Sequence, residues 1–147
     1  MSENSHHNQS FWQKYIFSTD HKVIGIQYGI TALTFLFFGF SLMMVMRWQL
    51  AYPDTAVPLV GSLVKWLATL NGFASNGNLP SDLYNVFGAM HGTIMIFLGV
   101  VPLVVGAFGN YIVPLQIGAP DMAFPKLNMA SYWVYFIGGV VMLVSFF

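Results

Sequence analysis

The chain has 147 residues, of which 56% are hydrophobic and only 7% are charged, and its formal net charge at pH 7 is zero. A soluble domain carries about 25% charged residues, so this composition excludes a water-soluble globular protein and indicates a membrane protein. The neutral balance gives no reason to expect nucleic acid as a partner, and the lack of cysteine excludes disulfides and thiolate metal sites.

Residues 1–22 are predicted to form a polar lead that becomes interfacial towards its end. Aromatic residues stand among lysines in its second half, which is typical of a segment lying at lipid headgroups. His6 and His7 could bind a metal, or they could be two solvated imidazoles near the terminus of the chain.

The first apolar run, residues 23–47, is long enough to cross a bilayer, which takes about 20 residues. It carries no formal charge until Arg47, which is followed by Trp48. A cation beside an aromatic residue is typical of the end of a membrane helix. Arg47 is therefore either an end anchor that extends its charge to the headgroups or a functional cation.

A long polar connection, residues 48–83, separates the first two apolar runs. Within it, apolar residues at helical spacing from Leu59 to Leu70 predict a short amphipathic helix on the membrane surface. The second span, residues 84–115, contains Pro102. We expect this proline to kink the helix, which membrane helices tolerate when neighbouring groups bind the freed carbonyl.

One histidine, His91, lies near the beginning of the second span. An imidazole in such a span costs free energy unless it has a partner, so His91 is a candidate functional residue. The small residues Gly88, Ala89 and Gly92 bracket it and leave room for a flat macrocycle, and haem iron commonly takes an axial imidazole. The alternative is a packing histidine that is hydrogen-bonded to a neighbouring helix.

A Gly/Pro-rich loop, residues 116–128, carries Asp121, which could be a solvated turn residue, a helix cap or a functional carboxylate. The third apolar run, residues 129–147, has no charge and no interfacial cation at its end, so we expect a fragment of a longer polytopic protein. Asn128 and Ser131 share one helical face, where they could cap the third helix or hold water in a polar groove.

The charges at the ends of the spans weakly favour an amino terminus on the inner side of the membrane, where positive charge is enriched. Three lysines fall on that side and two cations on the other, namely Lys14, Lys22 and Lys126 against Arg47 and Lys65. In this orientation His91 and Arg47 lie near the outer surface, and Asp121 lies on the inner side.

Four runs of sequence are long enough to be compared with known families. They are FSTDHKVIG (17–25), LYNVFGAMHGTIMIF (83–97), FGNYIVPLQIGAPDMAFPKLN (108–128) and SYW (131–133). These runs closely resemble the opening of subunit I of the haem–copper terminal oxidases, in the cytochrome c oxidase branch. The resemblance implies an all-α, polytopic transmembrane helix bundle: the first two spans and part of a third of a larger subunit of about twelve spans.

The resemblance implies that electrons pass from cytochrome c through a low-spin haem to a haem–copper site that reduces oxygen, coupled to proton translocation. His91 would be an axial ligand of the low-spin haem, which is a haem a in this branch. Arg47 would hydrogen-bond the haem formyl group, and Tyr84 matches an aromatic position near the haem. High-spin haem and copper are expected in the whole subunit, but their ligands belong to later helices, so this part alone could not reduce oxygen.

The resemblance also implies a proton-uptake pathway. Asp121 matches the carboxylate at its mouth on the inner side, and Asn110, Asn128 and Ser131 match polar residues along its first part. Met129 stands where the family often has a second asparagine, so we expect the narrow part of this pathway to be lined differently here.

Two further departures concern the cation site and the electron donor. Gln49 stands where many relatives carry a glutamate that helps to bind a structural cation, so we predict no such site. Leu83 and Val86 stand where the quinol-oxidising branch has a histidine and a glutamine, which favours cytochrome c as the donor.

The implied partners are cytochrome c, oxidase subunits II and III and the lipid bilayer. The implied location is a bacterial inner membrane or, alternatively, the mitochondrial inner membrane. Two other functions stay open at this point. One is a quinol oxidase of the same superfamily, and the other is a haem-free structural or assembly protein in which His91 and Arg47 are packing groups.

Overall fold

Three helices in the described part of the chain are long and apolar enough to cross a membrane. The computed structural model describes Trp12, residues 15–120 and residues 122–146. Its helices there are α1 (His21–Ala51), α2 (Gly61–Leu70), α3 (Ser81–Ile117) and α4 (Pro125–Val144). The candidate spans are α1, α3 and α4, whereas α2 lies in the connection between α1 and α3. This confirms the predicted all-α, polytopic membrane fold.

α1 begins at His21, two residues before the predicted first span, and ends four residues after it, at Ala51. The carboxylate of Asp20 accepts a hydrogen bond from the backbone N–H of Lys22 at 2.9 Å and so satisfies one of the donors that a helix start leaves free. At 1.5 Å per residue α1 is about 46 Å long. Because the hydrocarbon core is about 30 Å thick, the ends of α1 reach the headgroups.

α3 is one continuous helix whose middle part is widened. It is α-helical at both ends and π-helical between them, over Ile94–Val100 and Pro102–Phe108. Pro102 lacks the N–H that would donate to the Leu98 carbonyl in an α-helix. The hydroxyl of Tyr135 on α4 donates to that carbonyl at 2.7 Å. The expectation that a neighbouring group would bind the freed carbonyl is confirmed. The helix continues through this region in wider, π-helical turns and is not interrupted.

α1 and α3 run antiparallel and approach closely because glycines lie at their interface. A Cβ atom placed on Gly39 would lie 2.8 Å from Sδ of Met95, which is nearer than real Cβ atoms come to other atoms. A Cβ atom on Gly88 would lie 3.4 Å from the methyl carbon of Met46, at the other end of the same interface. Small residues at such positions let helix backbones pack together in a membrane.

α2 packs against the ends of the spans and confirms the short amphipathic helix predicted in the connection. Its buried face carries Val64, Leu67 and Ala68, which join an apolar cluster with Leu42 and Leu83. We call the side of the molecule that carries α2 the α2 face. The side that carries residues 118–120 and 122–124, between α3 and α4, is the opposite face.

Candidate functional site

His91 is held by a hydrogen bond to the neighbouring helix. Its Nδ1 lies 2.8 Å from the backbone carbonyl oxygen of Gly39 on α1. A carbonyl only accepts, so Nδ1 carries the proton and Nε2 of the neutral ring carries a lone pair. Nε2 has no hydrogen-bond partner among the residues that the structure describes. Proteins orient metal-binding histidines in this way, through the ring nitrogen that does not bind the metal.

The helix surface beside His91 is open. A Cβ atom added to Gly92 would meet no atom within 4 Å, and Ala89 is exposed. The imidazole itself is half-buried. The bond to Gly39 would suit a packing histidine as well as a ligand, but a free Nε2 next to an open surface favours the ligand. The residues present therefore fit a flat macrocycle bound through His91.

Arg47 lies on α1 about one helical turn nearer the α2 face than His91. Met46 faces Gly88, three residues before His91, which gives an offset of about 6 Å along the helix axes at 1.5 Å per residue. The guanidinium is exposed and has no hydrogen-bond or ion-pair partner in the described part of the chain. Arg47 and His91 therefore lie at neighbouring heights along the helix axes but are not hydrogen-bonded to each other. This arrangement is compatible with both interpretations of Arg47, an end anchor and a cation that binds a ligand.

Two other side chains near this level were singled out from the sequence. Tyr84 lies seven residues before His91, hence on the same face of α3, and packs half-buried against the apolar cluster at the α2 face. Gln49 accepts a hydrogen bond through Oε1 from the backbone N–H of Leu79 at 2.9 Å. This bond ties the end of α1 to the segment before α3, so Gln49 has a structural role.

Asn110 is buried near the opposite face, together with His21. Nδ1 of His21 donates to the Asn110 carbonyl at 2.9 Å, and Nδ2 of Asn110 donates to the Gly106 carbonyl at 2.6 Å. Oδ1 of Asn110 is buried and has no hydrogen-bond partner within the described part of the chain. The assignment of His21 to the polar lead is wrong: α1 starts there and His21 is only 2% exposed. His6 and His7 lie outside the described residues.

Asn128 and Ser131 are connected to α1 through Tyr28. The Ser131 hydroxyl donates to the Asn128 carbonyl at 2.7 Å, and Tyr28 OH lies 3.0 Å from Oγ of Ser131. Because the Ser131 proton is used in the first bond, Tyr28 donates in the second. α4 begins at Pro125 after Phe124, a turn earlier than predicted, so the interpretation of Asn128 or Ser131 as a helix cap is wrong.

Two buried amide atoms near the opposite face are Oδ1 of Asn110 and Nδ2 of Asn128. Neither has a hydrogen-bond partner among the residues that the structure describes. Ordered water is the usual partner of such buried atoms, because leaving them unpaired costs free energy. With the helix cap excluded, the other interpretation of Asn128, a polar groove that holds water, stays a prediction. Asp121 lies outside the described residues, so its position relative to these amides stays a prediction.

Sequence reasoning missed the tyrosines that join α1 and α4 through hydroxyl pairs beside Ser131. Tyr132 OH lies 3.1 Å from Oγ1 of Thr31, and the rings of Tyr28 and Tyr132 meet edge to face with centroids 5.2 Å apart. Helical spacing could have found Tyr28, since it lies seven residues after His21 and therefore on the same face of α1.

No group of three or more His, Cys, Asp or Glu side chains comes together within Trp12, residues 15–120 and residues 122–146. The described part of the chain therefore does not assemble a metal centre from protein ligands alone. A single imidazole such as His91 is nevertheless a sufficient protein ligand on one side of a haem iron, because the macrocycle supplies the in-plane ligands.

Comparison with known proteins gives matches over most of the chain. The family described as Cytochrome C and Quinol oxidase polypeptide I matches residues 23–147. Cytochrome c oxidase subunit 1 of Thermostichus vulcanus is 44% identical over 136 residues, which cover 92% of this chain and 21% of the relative. The alternative cytochrome c oxidase subunit 1 of Bradyrhizobium diazoefficiens is 37% identical over 97% of this chain and 21% of its own length. The heme-copper oxidase subunit I+III of Aeropyrum pernix is 40% identical over 91% of this chain and 14% of its own length.

Proposed function

Because this chain belongs to the family of cytochrome c and quinol oxidase polypeptide I, we propose that it is part of the catalytic subunit of a respiratory terminal oxidase. In the whole subunit, electrons from cytochrome c pass through a low-spin haem to a haem–copper site that reduces oxygen, and proton translocation is coupled to this transfer. The chain spans about a fifth of the length of the relatives from Thermostichus and Bradyrhizobium. We therefore assign the high-spin haem and the copper to the rest of the subunit.

The orientation of the His91 ring is the observation that carries this proposal. Nδ1 donates to the Gly39 carbonyl, so the lone pair of Nε2 would be available to bind the iron of a low-spin haem a. The bond to the carbonyl also makes the ring more basic and therefore a better ligand. A bound haem supplies reversible one-electron chemistry at its iron.

Arg47 and Tyr84 have supporting roles in this proposal. The guanidinium of Arg47 is exposed and has no partner among the described residues, so it is available to donate to a formyl oxygen of the haem. A positive charge at the edge of the macrocycle favours the reduced state, because reduction lowers the charge of the iron. Tyr84 packs on the same side of α3 as His91 and fills space beside the haem.

We further propose that Asn110, Asn128 and Ser131 belong to a proton-uptake pathway whose mouth is Asp121. What supports this is the pair of buried amide atoms that have no partner among the described residues, together with the hydroxyl pair of Tyr28 and Ser131. Amide side chains do not titrate, so they act by holding water in place. Ordered water and hydroxyl groups then pass protons along hydrogen bonds.

Cytochrome c is the proposed electron donor, with oxidase subunits II and III as partners in a bacterial inner membrane. What supports this donor over a quinol is Leu83, which is fully buried in the apolar cluster at the α2 face and offers no hydrogen bond. Two of the relatives above are bacterial proteins named cytochrome c oxidase subunit 1 or alternative cytochrome c oxidase subunit 1. Oxygen consumption with reduced cytochrome c or with ubiquinol as the donor separates the two branches.

The proposal is tested by visible spectra of the full-length subunit in membranes, reduced minus oxidised. His91→Ala should remove the haem a band, whereas His21→Ala is the control because His21 is, like His91, bonded through Nδ1 to a backbone carbonyl. Added imidazole should restore the band in the His91 variant, which separates the loss of a ligand from misfolding. Unchanged spectra, or no haem band in any of the proteins, would make His91 a packing residue of a haem-free membrane protein.

A further inference from the structure

Two Asn-Gly sequences lie in the connection between α1 and α3, at Asn71-Gly72 and at Asn76-Gly77. An asparagine before glycine can lose its amide nitrogen, because glycine has no Cβ atom that would hinder the attack of its backbone nitrogen on the preceding side chain. This attack needs a carboxamide and a backbone nitrogen that are free to approach each other. The hydrogen bonds of the two asparagines therefore determine which one reacts.

Asn71 is held in place at the end of α2. Its Nδ2 donates to the Leu67 carbonyl at 3.0 Å and to the Phe146 carbonyl at 3.1 Å, which uses both N–H bonds of the carboxamide. The nitrogen that would attack it, that of Gly72, donates to the Thr69 carbonyl at 3.1 Å. Both reacting groups are fixed by separate carbonyls, so we expect Asn71 to react slowly.

Asn76 lies in the turn before α3 and is held differently. It is exposed, and its carboxamide has no hydrogen-bond partner within the described ranges of the chain. The turn is instead held by its neighbours: the Asn76 N–H donates to Oδ1 of Asn78 at 3.1 Å, and the Gly77 N–H donates to Oγ of Ser75 at 3.1 Å. The side chain of Asn76 can therefore turn towards the nitrogen of Gly77.

We propose that Asn76 is a site of spontaneous deamidation with formation of isoaspartate. The backbone nitrogen of Gly77 forms a bond to Cγ of Asn76, the bond from Cγ to Nδ2 breaks, and ammonia leaves with the proton of the attacking nitrogen. Water then opens the resulting succinimide at either of its carbonyl groups, which gives aspartate or isoaspartate. Both products add a negative charge at the α2 face, and isoaspartate also adds a methylene group to the backbone.

The added methylene group should disturb the packing of Gly77. The Gly77 carbonyl accepts a hydrogen bond from the Val57 N–H at 2.9 Å. A Cβ atom on Gly77 would lie 3.1 Å from Cβ of Ala56, so the two segments are in close contact. A longer backbone at residue 76 displaces Gly77 from this contact, and we expect it to loosen the connection between α1 and α3.

The test uses the full-length subunit in membranes, incubated in mildly alkaline buffer and then digested at acidic pH. Mass spectrometry with electron-transfer fragmentation separates isoaspartate from aspartate at each position. Asn76 should be modified many-fold faster than Asn71 in the folded protein. After unfolding in guanidinium chloride the two should react at similar rates, because Asn71 has then lost its hydrogen bonds.

Two variants sharpen this test. Asn76→Gln should remove the modification at this position without affecting folding, because residue 76 is exposed and a longer side chain closes the ring far more slowly. Ser75→Ala should accelerate the modification of Asn76, because it removes the acceptor that restrains the Gly77 nitrogen.

Two outcomes overturn the proposal. Equal rates at Asn71 and Asn76 in the folded subunit would show that the hydrogen bonds of Asn71 do not protect it. Modification of Asn76 only after unfolding would show that the fold of the whole subunit protects this turn.

Discussion

The hydroxyl of Tyr135 donates to the backbone carbonyl of Leu98 at 2.7 Å and so takes the position that Pro102 leaves without an N–H donor. The ring of Tyr135 also stacks on Tyr28 of α1, with centroids 5.3 Å apart. One side chain of α4 therefore contacts both other spans. In a membrane, where no water replaces a missing backbone partner, such a contact lets a proline stay inside a helix.

Tyr135→Phe should destabilise the protein because the Leu98 carbonyl loses this donor while the ring stacking is kept. Hydrogen bonds between membrane helices contribute about 0.6–2 kcal/mol, and we expect a loss in this range. Thermal unfolding of the detergent-solubilised full-length subunit measures it. Tyr111→Phe on α3 is the control, since Tyr111 is 41% exposed. Equal stability of the two variants would show that another donor serves this carbonyl.

Gly39→Ala should displace His91, because the new Cβ atom would lie 2.8 Å from Sδ of Met95. Forcing extra atoms into a packed interface costs about 1–3 kcal/mol, and here it also stretches the bond from His91 to the Gly39 carbonyl. We expect a lower melting temperature and a shifted haem a band. Adding Met95→Ala should restore both, because it removes the clashing side chain. Gly138→Ala is the control, since nothing lies within 4 Å of that position.

Two glycines of α3 should respond in opposite directions to alanine. A Cβ atom on Gly106 would overlap the ring of Tyr28, whereas a Cβ atom on Gly109 would meet nothing within 4 Å. Gly109→Ala should stabilise the helix by about 0.5–1 kcal/mol, because alanine loses less backbone freedom on folding. Gly106→Ala should destabilise it by about 1–3 kcal/mol. Thermal unfolding of both variants checks this; if they shift in the same direction, the register of α1 against α3 is wrong.

The three spans and α2 could be predicted because hydropathy and its spacing are local properties of the chain. His91 could be singled out because a histidine in an apolar span is rare and costly. Its partner could not be predicted, because Gly39 acts through its backbone carbonyl and has no side chain that would signal this role. The pairing of Tyr28 with Ser131 joins residues 103 positions apart and depends on how two helices are rotated, which local sequence does not determine.

The proposed proton-uptake pathway can be tested without disturbing the haem. Asn110→Leu replaces the amide by an apolar group of similar volume and so removes Oδ1, which has no hydrogen-bond partner among the described residues and is the atom proposed to hold water. The carbonyl that accepts from His21 belongs to the backbone and stays in place. Steady-state oxygen consumption by the whole enzyme should therefore fall several-fold, while the haem a band keeps its position and intensity.

Gln116→Leu is the matched control for this substitution, since Gln116 is an exposed amide near the same end of α3. Proton uptake from the inner side, followed with a pH-sensitive dye after a single turnover, should slow in the Asn110 variant and not in the control. The reason is that a hydrogen-bonded chain of water conducts protons only when it is unbroken, and an apolar side chain interrupts it. Unchanged uptake with normal haem content would remove Asn110 from the pathway and leave it a structural link between α1 and α3.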